Sequence, residues 1–505
     1  MKRAKSGFAK YLAHASALAF VASLAANAPA GAVTLAALPA TVRINVTGLG
    51  TSYAVISSSG ALTATGPDGA VLYRGTGRTL ARTNVRKVAS ADIVLPSRRA
   101  GPLSPEDRAE RAMALHSARE AIAEAGPRAI VTVPFQFSIL RGEGDDLGSG
   151  IVEGEKILNV RFTTEDGVLA VNGRSFRGAF ELAADDEGDM IVVNTVRTRE
   201  YLASVVGSEE PSTWEPEALA AQAIAARTYL YTHLARHKSY DLEGDTRDQE
   251  YDGTQNEDAR TIRAVERTAG LIATYRGTPI EALYSANAGG VTEDSENVFA
   301  NALPYLRSVP SPGDEVAKDS SWGKTSWEWT KEMSAAQLRE FLQVRGSAVG
   351  TPTRIDLTRL SPTGRVIGAR VVGTNGTQDI GKDGSRYYFG LRSTLFTVEV
   401  TPSGANERVA ASDPERGRAL DALGARRVAT AFDMQLDGNG NELGLRETGW
   451  VYELPARFIF RGKGFGHGVG MSQWGAQGMA LKGASAADIL AHYYVGTGLT
   501  AVGGD

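Results

Sequence analysis

The sequence contains no cysteine in 505 residues and only six histidines. Disulfides are therefore excluded, and any metal site must be built from histidine and carboxylate ligands. The formal net charge of −4 gives no sign of a polyanion-binding surface, which argues against nucleic acid as a partner. A chain of this length can be stabilised by burial of apolar side chains alone.

Long hydrophobic runs are also missing, apart from one at the beginning. Lys2, Arg3, Lys5 and Lys10 form a basic start, and an apolar run over residues 11–25 follows it. Small residues over 26–30 then fit an A-x-A cleavage pattern. We therefore expect residues 1–30 to be a signal peptide, the mature protein to be exported, and no membrane span to remain after its removal.

Several catalytic motifs are absent. Gly462-Lys463 is followed by glycine rather than serine or threonine, which excludes a phosphate-binding P-loop. The segment Gly470-Met471-Ser472-Gln473-Trp474 has tryptophan where a nucleophile elbow requires glycine. No H-E-x-x-H occurs, and no histidine–carboxylate cluster has the spacing of metal ligands, so no cofactor is expected.

The stretch 201–231 is the most informative one that the sequence does contain. It predicts a short helix ended by Gly207-Ser208, a break blocked by Pro211 and Pro216, and a long alanine-rich helix beginning at Pro216. Glu209 and Glu210 lie in the break. A carboxylate on a corner between helices can face a cleft and serve as a general acid. The alternative is that both are ordinary acids favoured by the dipole of the following helix.

The turn and periodicity signals predict an α+β fold, with mixed helices and small antiparallel sheets around a central cleft. We expect a β-rich region over 31–150, interrupted by a helix over 104–126, and a first core part over 151–400. Within that part, Asn172-Gly173 marks a hairpin turn. A polar, turn-rich insertion over 401–445 and a second core part over 446–505 complete the predicted organisation.

Two other segments have unusual composition. Residues 240–253 form a polar loop that is too long for a simple connection, which makes it a candidate wall of the cleft. Trp322, Trp327 and Trp329 stand among prolines and glycines. Such tryptophans usually cover a core, although they can also stack on sugar rings.

Glycine alternates through Arg461–Ala476, the second informative stretch, with the sequence RGKGFGHGVGMSQWGA. An extended segment of this kind would have one face without side chains, so that a strand or ligand could approach closely. His467 stands among these glycines, and Ser472 and Gln473 follow at the expected start of a helix.

Taken together, these motifs resemble the SpoIID/LytB family of bacterial cell-wall proteins, in which SpoIID is a lytic transglycosylase and LytB an amidase enhancer. The resemblance covers roughly residues 40–500 and is carried by motifs in the family's order: Asn172–Gly178, Val192–Asn194, Tyr201–Glu209, Trp214, Ala218–Tyr229, Tyr240–Leu242, Asp248–Gln249, Tyr251, Gly253, Gly289–Gly290, Thr292, Gly390–Thr394 and Gly466–Ala476. It implies a SpoIID-like core.

The resemblance assigns the catalytic glutamate of a Ser-Glu-x-Pro corner to Glu209, with Glu210 at the variable position. The implied reaction is cleavage of the MurNAc–GlcNAc bond of peptidoglycan, with Glu209 as acid and then base and a 1,6-anhydro-MurNAc product. Substrate-binding residues would be Gln249, Tyr251, His467, Ser472 and Gln473, and Arg227 would hold the corner. Each of these could equally be a structural hydrogen-bonding residue.

Some members of the family bind zinc through cysteine and histidine near the loop equivalent to 240–253. This chain has Glu243, Arg247 and Asp248 there and no cysteine, so we expect no zinc. The expected location is the periplasm or the extracellular cell-wall space. The expected partner is the peptidoglycan glycan strand, including strands without stem peptides.

Two other functions are compatible with the same motifs. One is a wall-binding protein without catalytic activity that stimulates an N-acetylmuramoyl-L-alanine amidase. The other is a secreted structural protein that has kept the fold. The Ser208-Glu209-x-Pro211 corner favours the enzyme over the structural protein, but it does not separate the enzyme from the amidase enhancer.

Overall fold

The computed structural model describes residues 35–48, 53–84, 136–142, 150–152, 160–184, 190–401, 406–422, 425–436, 442–453 and 457–504. The described residues divide into two units. The N-terminal unit holds Leu35–Trp214, Ala226–Ile272 and the end of the chain from Ala501, and the C-terminal unit holds Glu215–Ala225 and Ala273–Thr500. The expected signal peptide 1–30 and helix 104–126 lie outside the described residues.

A large antiparallel sheet dominates the N-terminal unit. Its strands are β1 Thr41–Asn45, β2 Tyr53–Thr65, β3 Val71–Asn84, β4 Gln136–Gly142, β5 Gly150–Val152, β6 Arg161–Thr164, β7 Val168–Val171, β8 Arg174–Arg177, β9 Ala179–Ala184, β10 Met190–Arg197 and β11 Leu242–Glu243. Among the described residues the order is β11-β1-β10-β9-β6-β2-β3-β4-β5, with β7 and β8 joined through β2, and only β11 runs parallel to its neighbour. Asn172 and Gly173 both have positive φ between β7 and β8, which confirms the predicted hairpin turn.

Three helices follow β10 along the chain. They are α1 Thr198–Glu209, α2 Pro216–His233 and α3 Ala259–Arg267, with a 3₁₀ helix at Gly253–Asn256. The predicted end of the first helix at Gly207-Ser208 was wrong, because α1 continues to Glu209. A Cβ on Gly207 would lie 2.0 Å from the carbonyl oxygen of Asn256, so this glycine permits close packing rather than ending the helix.

The second helix begins at Pro216, as predicted, and the boundary between the units passes through it. The pattern predicted one buried face, but every residue from Ala218 to Leu230 is buried. A helix that is buried on all sides must be apolar all round or have its polar groups paired. Its many alanines allow neighbours to approach closely on every side.

The C-terminal unit is built from small sheets and short helices. Its strands are β12 Leu271–Tyr275, which crosses the unit boundary, β13 Thr278–Pro279, β14 Tyr284–Ser285, β15 Glu328–Ser334, β16 Pro352–Leu360, β17 Val366–Gly373, β18 Gly376–Gly381, β19 Phe396–Thr401, β20 Asn406–Ala410, β21 Arg426–Leu436, β22 Glu442–Glu453, β23 Arg457–Lys463, β24 Met471–Ser472 and β25 Gly498–Ala501. Its helices are α4 Ser295–Val298, α5 Lys324–Trp327, α6 Ala335–Val344, α7 Gly384–Phe389, α8 Pro414–Ala422, α9 Gln473–Ala480 and α10 Ala486–Tyr493, with a 3₁₀ helix at Pro312–Asp319.

Within the described residues of this unit, the sheets have the orders β13-β12-β25, β14-β24, β15-β23-β19, β16-β17-β18 and β20-β22-β21. A core that includes Phe389, Phe396, Phe458 and Phe460 packs β15, β23 and β19 against their neighbours. The polar segment 401–445 contains β20, α8, β21 and the beginning of β22.

Mixed helices and largely antiparallel sheets confirm the predicted α+β class. The central cleft, the β-rich N-terminal region and the domain boundaries stay predictions. In the part of the chain that the structure describes, no helix combines the length and apolar character needed to cross a membrane.

The contact at Gly207 gives a testable prediction for stability. Replacement Gly207→Ala forces a methyl group onto the Asn256 carbonyl and should lower the free energy of unfolding by about 1–3 kcal/mol in urea denaturation. Gly381→Ala is the control, because a Cβ there meets no atom within 4 Å. Equal stability of the two variants would contradict the packing role of Gly207.

Candidate functional site

The corner after α1 positions the two adjacent glutamates. Glu209 is the last helical residue, and Glu210 caps the helix in an extended conformation with its N–H donating to Val206 O at 3.0 Å. Pro211 follows directly, and Trp214 N–H then donates to the Pro211 carbonyl at 3.0 Å. The helix therefore cannot continue, and the two carboxyl groups leave the chain in different environments.

Glu209 is half-buried and tied to the loop after β11. Its Oε1 accepts a hydrogen bond from the backbone N–H of Glu250 at 3.0 Å. Next to it, the Ser208 hydroxyl oxygen accepts from the backbone N–H of Asp252 at 3.2 Å. A backbone N–H aimed at a carboxylate favours its charged form. Two backbone donors thus fix the corner to the segment 250–252.

That segment is anchored from both sides by buried side chains. Gln249 Oε1 accepts from the Tyr201 hydroxyl at 3.0 Å, and the Tyr251 hydroxyl donates to Asn194 Oδ1 at 2.7 Å. Gln249 and Tyr251 are 0% and 1% exposed, so neither side chain offers surface to a ligand in this structure. Sequence analysis expected both to contact a glycan, whereas here they hold Glu250 in position.

Glu210 is the least expected group at the corner. Its side chain is 1% exposed, and neither carboxyl oxygen has a hydrogen-bond partner among the described residues. Burial raises the pKa of Glu210 well above its ordinary value of 4.5, and the charge of Glu209 raises it further. Burial therefore favours the neutral carboxylic acid form of this side chain over its carboxylate form. The resemblance had placed it at a variable position, and the pair of adjacent acids was its only signal in the sequence.

Glu250 is a further titratable group that sequence reasoning missed. Partial burial raises the pKa of its carboxyl group, the charges of Asp252 and Asp245 add to that effect, and Arg174 opposes it. Arg174 donates to Val46 O at 2.6 Å and lies 3.5 Å from Asp252. The position of Glu250 between Gln249 and Tyr251 was the signal that could have identified it.

The preceding part of the predicted cleft wall is a partly buried charge network. Arg247 donates two hydrogen bonds of 2.8 Å to the two oxygens of Glu243, and it also binds Asp245. Tyr240 and Asn45 each donate to Glu243 at 2.8 Å. Burial raises the pKa of Glu243 to about 7 against the opposing charge of Arg247. Such a network holds the loop by ion pairs and hydrogen bonds.

In the described portion of the chain, no group of three histidine or carboxylate side chains could hold a metal ion.

Arg227 lies on α2 and is fully buried. Its guanidinium donates to Thr268 Oγ1 at 3.3 Å, Val265 O at 3.1 Å and Leu271 O at 3.4 Å. These bonds tie α2 to the end of α3 and the turn after it. They are not bonds to the corner, which sequence analysis had expected Arg227 to hold.

The glycine-rich segment of the C-terminal unit is not the extended strand that the alternation predicted. β23 ends at Lys463, and Gly464, Gly466, Gly468 and Gly470 all have positive φ. Side chains rarely adopt this conformation, which explains the alternating glycines. At Gly468 a Cβ would also lie 2.3 Å from the guanidinium of the buried Arg365.

His467 is half-buried within this segment. Its Nδ1 accepts from the backbone N–H of Val469 at 3.1 Å, and the ring packs edge-on against Phe299. Burial lowers the pKa of His467 to about 4, and the charge of Arg386 lowers it further. The imidazole is therefore neutral at pH 7, and an accepting Nδ1 requires the proton to lie on Nε2.

Ser472 and Gln473 are interior residues at the start of α9. Ser472 Oγ donates to Asp314 Oδ1 and accepts from Ala288 N–H at 3.1 Å, and it caps the helix by accepting from Gly475 N–H. Gln473 is 4% exposed. Burial raises the pKa of Asp314 to about 6, and the hydrogen bond from Ser472 opposes this rise.

The predicted site residues thus fall into two groups. The N-terminal unit brings Glu209 together with the loop that carries Gln249 and Tyr251. The C-terminal unit brings His467, Ser472 and Gln473 onto one continuous segment.

Comparison with known proteins agrees with the motifs. Residues 186–275 match the family model of the stage II sporulation protein SpoIID, a range that includes the corner and the loop up to Asp252. The stage II sporulation protein D of Bacillus subtilis is 28% identical over 325 residues, which cover 60% of this chain and 75% of that protein. These similarities support the predicted resemblance to the SpoIID/LytB family.

Two further relatives are not named as sporulation proteins. An uncharacterized protein of Brachyspira hyodysenteriae is 28% identical over 338 residues, covering 66% of this chain and 74% of that protein. The amidase enhancer of B. subtilis is 26% identical over 318 residues, covering 59% of this chain but only 40% of that protein. Relatives with different names therefore each match more than half of this chain.

The buried acid predicts how stability depends on pH. Folded Glu210 keeps its proton where the unfolded chain releases it, so stability should fall as pH rises from about 4.5 towards the raised pKa of Glu210. The slope is about 1.4 kcal/mol per pH unit for one such group. Glu210→Gln should remove this component in urea denaturation at successive pH values.

The control for this measurement is Glu165→Gln, at an exposed side chain. It should leave the slope of the parent protein unchanged. A slope that is the same in Glu210→Gln and the parent would contradict a neutral, buried carboxyl group at position 210.

The interior position of Ser472 gives a second prediction. Ser472→Ala removes one partner from Asp314 and one from Ala288 N–H, and should lower the free energy of unfolding by about 1–3 kcal/mol. Ser321→Ala, at an exposed serine, should have no measurable effect. Unchanged stability of Ser472→Ala in thermal unfolding would contradict the structural role.

Proposed function

We propose that this protein is an exported enzyme that cleaves the MurNAc–GlcNAc β-1,4 bond of peptidoglycan glycan strands without water, as a lytic transglycosylase. The observation that carries the proposal is the state of Glu209. This glutamate of the Ser-Glu-x-Pro corner is half-buried and held by the Glu250 N–H, whereas its neighbour Glu210 is buried and has a raised pKa. The assignment also rests on the similarity to the SpoIID/LytB proteins.

The reaction needs one carboxyl group in two protonation states. Protonated Glu209 gives its proton to the glycosidic oxygen as the bond between that oxygen and C1 of MurNAc breaks. Ionised Glu209 then accepts the proton of the C6 hydroxyl as the C6 oxygen bonds to C1 and closes the 1,6-anhydro ring. Atoms balance without water, and a second catalytic carboxylate is not required because the nucleophile belongs to the substrate.

The Glu250 N–H contributes to the second half of this cycle. It stabilises the carboxylate form of Glu209, which is the form that acts as base. The raised pKa of Glu210 disfavours a second negative charge beside it. This arrangement separates the roles of two adjacent acids by their environments.

The other predicted site residues support the glycan-cleaving site indirectly in this proposal. Gln249 and Tyr251 are positioning residues, because their buried side chains fix the loop that carries the Glu250 N–H. His467, Ser472 and Gln473 are structural residues of the glycine-rich segment in the C-terminal unit.

A second function is favoured by one comparison. The similarity to a protein named amidase enhancer supports a role in which this chain stimulates an N-acetylmuramoyl-L-alanine amidase. In that role the corner would contact the partner or the wall without cutting the glycan.

Glu209→Gln tests the enzyme directly. The amide can still accept from the Glu250 N–H, but it cannot exchange a proton, so release of 1,6-anhydro-MurNAc ends should fall by at least about 100-fold. The assay is mass spectrometry of products from purified glycan strands, with and without stem peptides. Glu215→Gln, on the same connection, is the matched control and should retain activity.

The same preparations separate the two functions. Anhydro ends produced equally by the parent protein and Glu209→Gln would contradict the catalytic assignment. An absence of such ends, together with faster action of an added amidase, would support the enhancer instead.

A further inference from the structure

The three tryptophans between residues 322 and 329 occupy different environments. Trp329 is 8% exposed and its indole N–H donates to Gly464 O at 2.9 Å, so it is a core residue. Trp327 is half-buried, with Lys463 Nζ 4.8 Å from its ring centre. Trp322 is 57% exposed. Trp329 is therefore explained by its place in the core. That explanation does not account for the exposed Trp322.

Trp322 is held on a rigid support. Its ring lies 4.9 Å from that of Trp474, at an angle of 38°, and Trp474 is itself only 5% exposed. The next residue, Gly323, packs so closely that a Cβ there would lie 2.2 Å from the Trp474 ring. A large aromatic surface is thus presented to solvent with little conformational freedom left to lose on binding.

Charged side chains of both signs precede and follow Trp322 along the chain. The 3₁₀ helix that precedes Trp322 carries an ion pair between Lys318 and Glu315. After α5, Glu328 pairs with Lys463 at 3.1 Å. The hydrogen bond and charge of Lys318 lower the pKa of Glu315, and Lys463 and Lys482 add to the effect. Lys318 and Lys463 are thus each paired with a glutamate, which favours an uncharged polar ligand over a polyphosphate.

A sugar ring has the complementary chemistry. One face of a pyranose is a plate of C–H groups that can lie against an indole, and its hydroxyl and acetamido groups point outward towards donors and acceptors. A single exposed ring is far smaller than the roughly 800 Å² that each partner contributes to a stable protein interface. A saccharide is therefore the occupant that fits both the size and the polarity of this surface.

We propose that Trp322 is a stacking subsite for one sugar ring of a β-linked N-acetylhexosamine chain. The subsite belongs to the C-terminal unit and is separate in the chain from Glu209. It rests on the proposed function in one respect, since that function supplies the glycan strand as ligand. Its role is to hold the strand and not to take part in proton transfer.

The test uses the mature chain and a soluble β-1,4-linked N-acetylglucosamine tetrasaccharide, with binding measured by isothermal titration calorimetry. Trp322→Ala should weaken binding about five- to tenfold, from the usual worth of an aromatic contact. Trp322→Phe, with a smaller ring, should give an intermediate loss. Phe432→Ala is the matched control at another exposed aromatic residue, 49% exposed on β21, and should bind like the parent.

Thermal unfolding of each variant shows whether the protein is folded. Undiminished affinity in folded Trp322→Ala, or a parent protein that does not bind the tetrasaccharide, would overturn the subsite.

Glu209→Gln separates this proposal from the catalytic one. It removes the proton exchange at the corner and leaves the ring of Trp322 in place, so its readout is the release of anhydro ends. If Trp322→Ala binds normally and Glu209→Gln is inactive, the subsite fails alone. If Trp322→Ala binds weakly and Glu209→Gln still cleaves, the subsite stands and the catalytic assignment fails.

Discussion

The hydrogen bond from the backbone N–H of Glu250 to the carboxylate of Glu209 is the interaction on which the candidate site depends. A hydrogen bond to a charged group contributes about 1.5–3 kcal/mol and also fixes direction. The neighbouring bond from Asp252 N–H to Ser208 prevents the loop from rotating about that single contact. Two donors from one short segment therefore determine where the carboxylate lies.

The interior of the N-terminal unit keeps these donors in place. Gln249 and Tyr251 reach into the core on either side of Glu250 and bond to Tyr201 and Asn194. Gly207 lets the last turn of α1 approach the 3₁₀ helix that follows the loop. Glu210 destabilises the corner, because a buried polar group without a hydrogen-bond partner lowers the free energy of unfolding by about 1–3 kcal/mol. The presence of such a destabilising residue beside a proposed catalytic acid agrees with the strain that functional sites carry.

Local chemistry explains what could be predicted from the sequence. Asn172-Gly173 and Pro216 act on their own backbone, so the hairpin turn and the start of α2 lie where expected. Gly207 could not be interpreted in this way, because its reason is a carbonyl group at residue 256. The alternating glycines after Lys463 marked an unusual segment, but the predicted extended conformation was wrong. Alternation alone does not distinguish a strand with one face free of side chains from a series of residues with positive φ.

In the candidate site, too, features with a local cause could be predicted, and features that depend on distant residues could not. The corner itself is local, so two prolines and two glutamates were enough to locate it. Gln249 and Tyr251 stand in a polar loop and so seemed available to a ligand, but their partners are 48 and 57 residues away. The states of Glu210 and His467 depend on burial, which only the folded chain defines.

The most direct measurement is digestion of peptide-free glycan strands in water enriched in heavy oxygen, followed by mass analysis of the new ends. If Glu209 passes the proton of the C6 hydroxyl and no water enters, the MurNAc ends will be one water lighter than reducing ends and will carry no label. Reducing ends that carry the heavy oxygen would mean that water is the nucleophile, and would contradict the account.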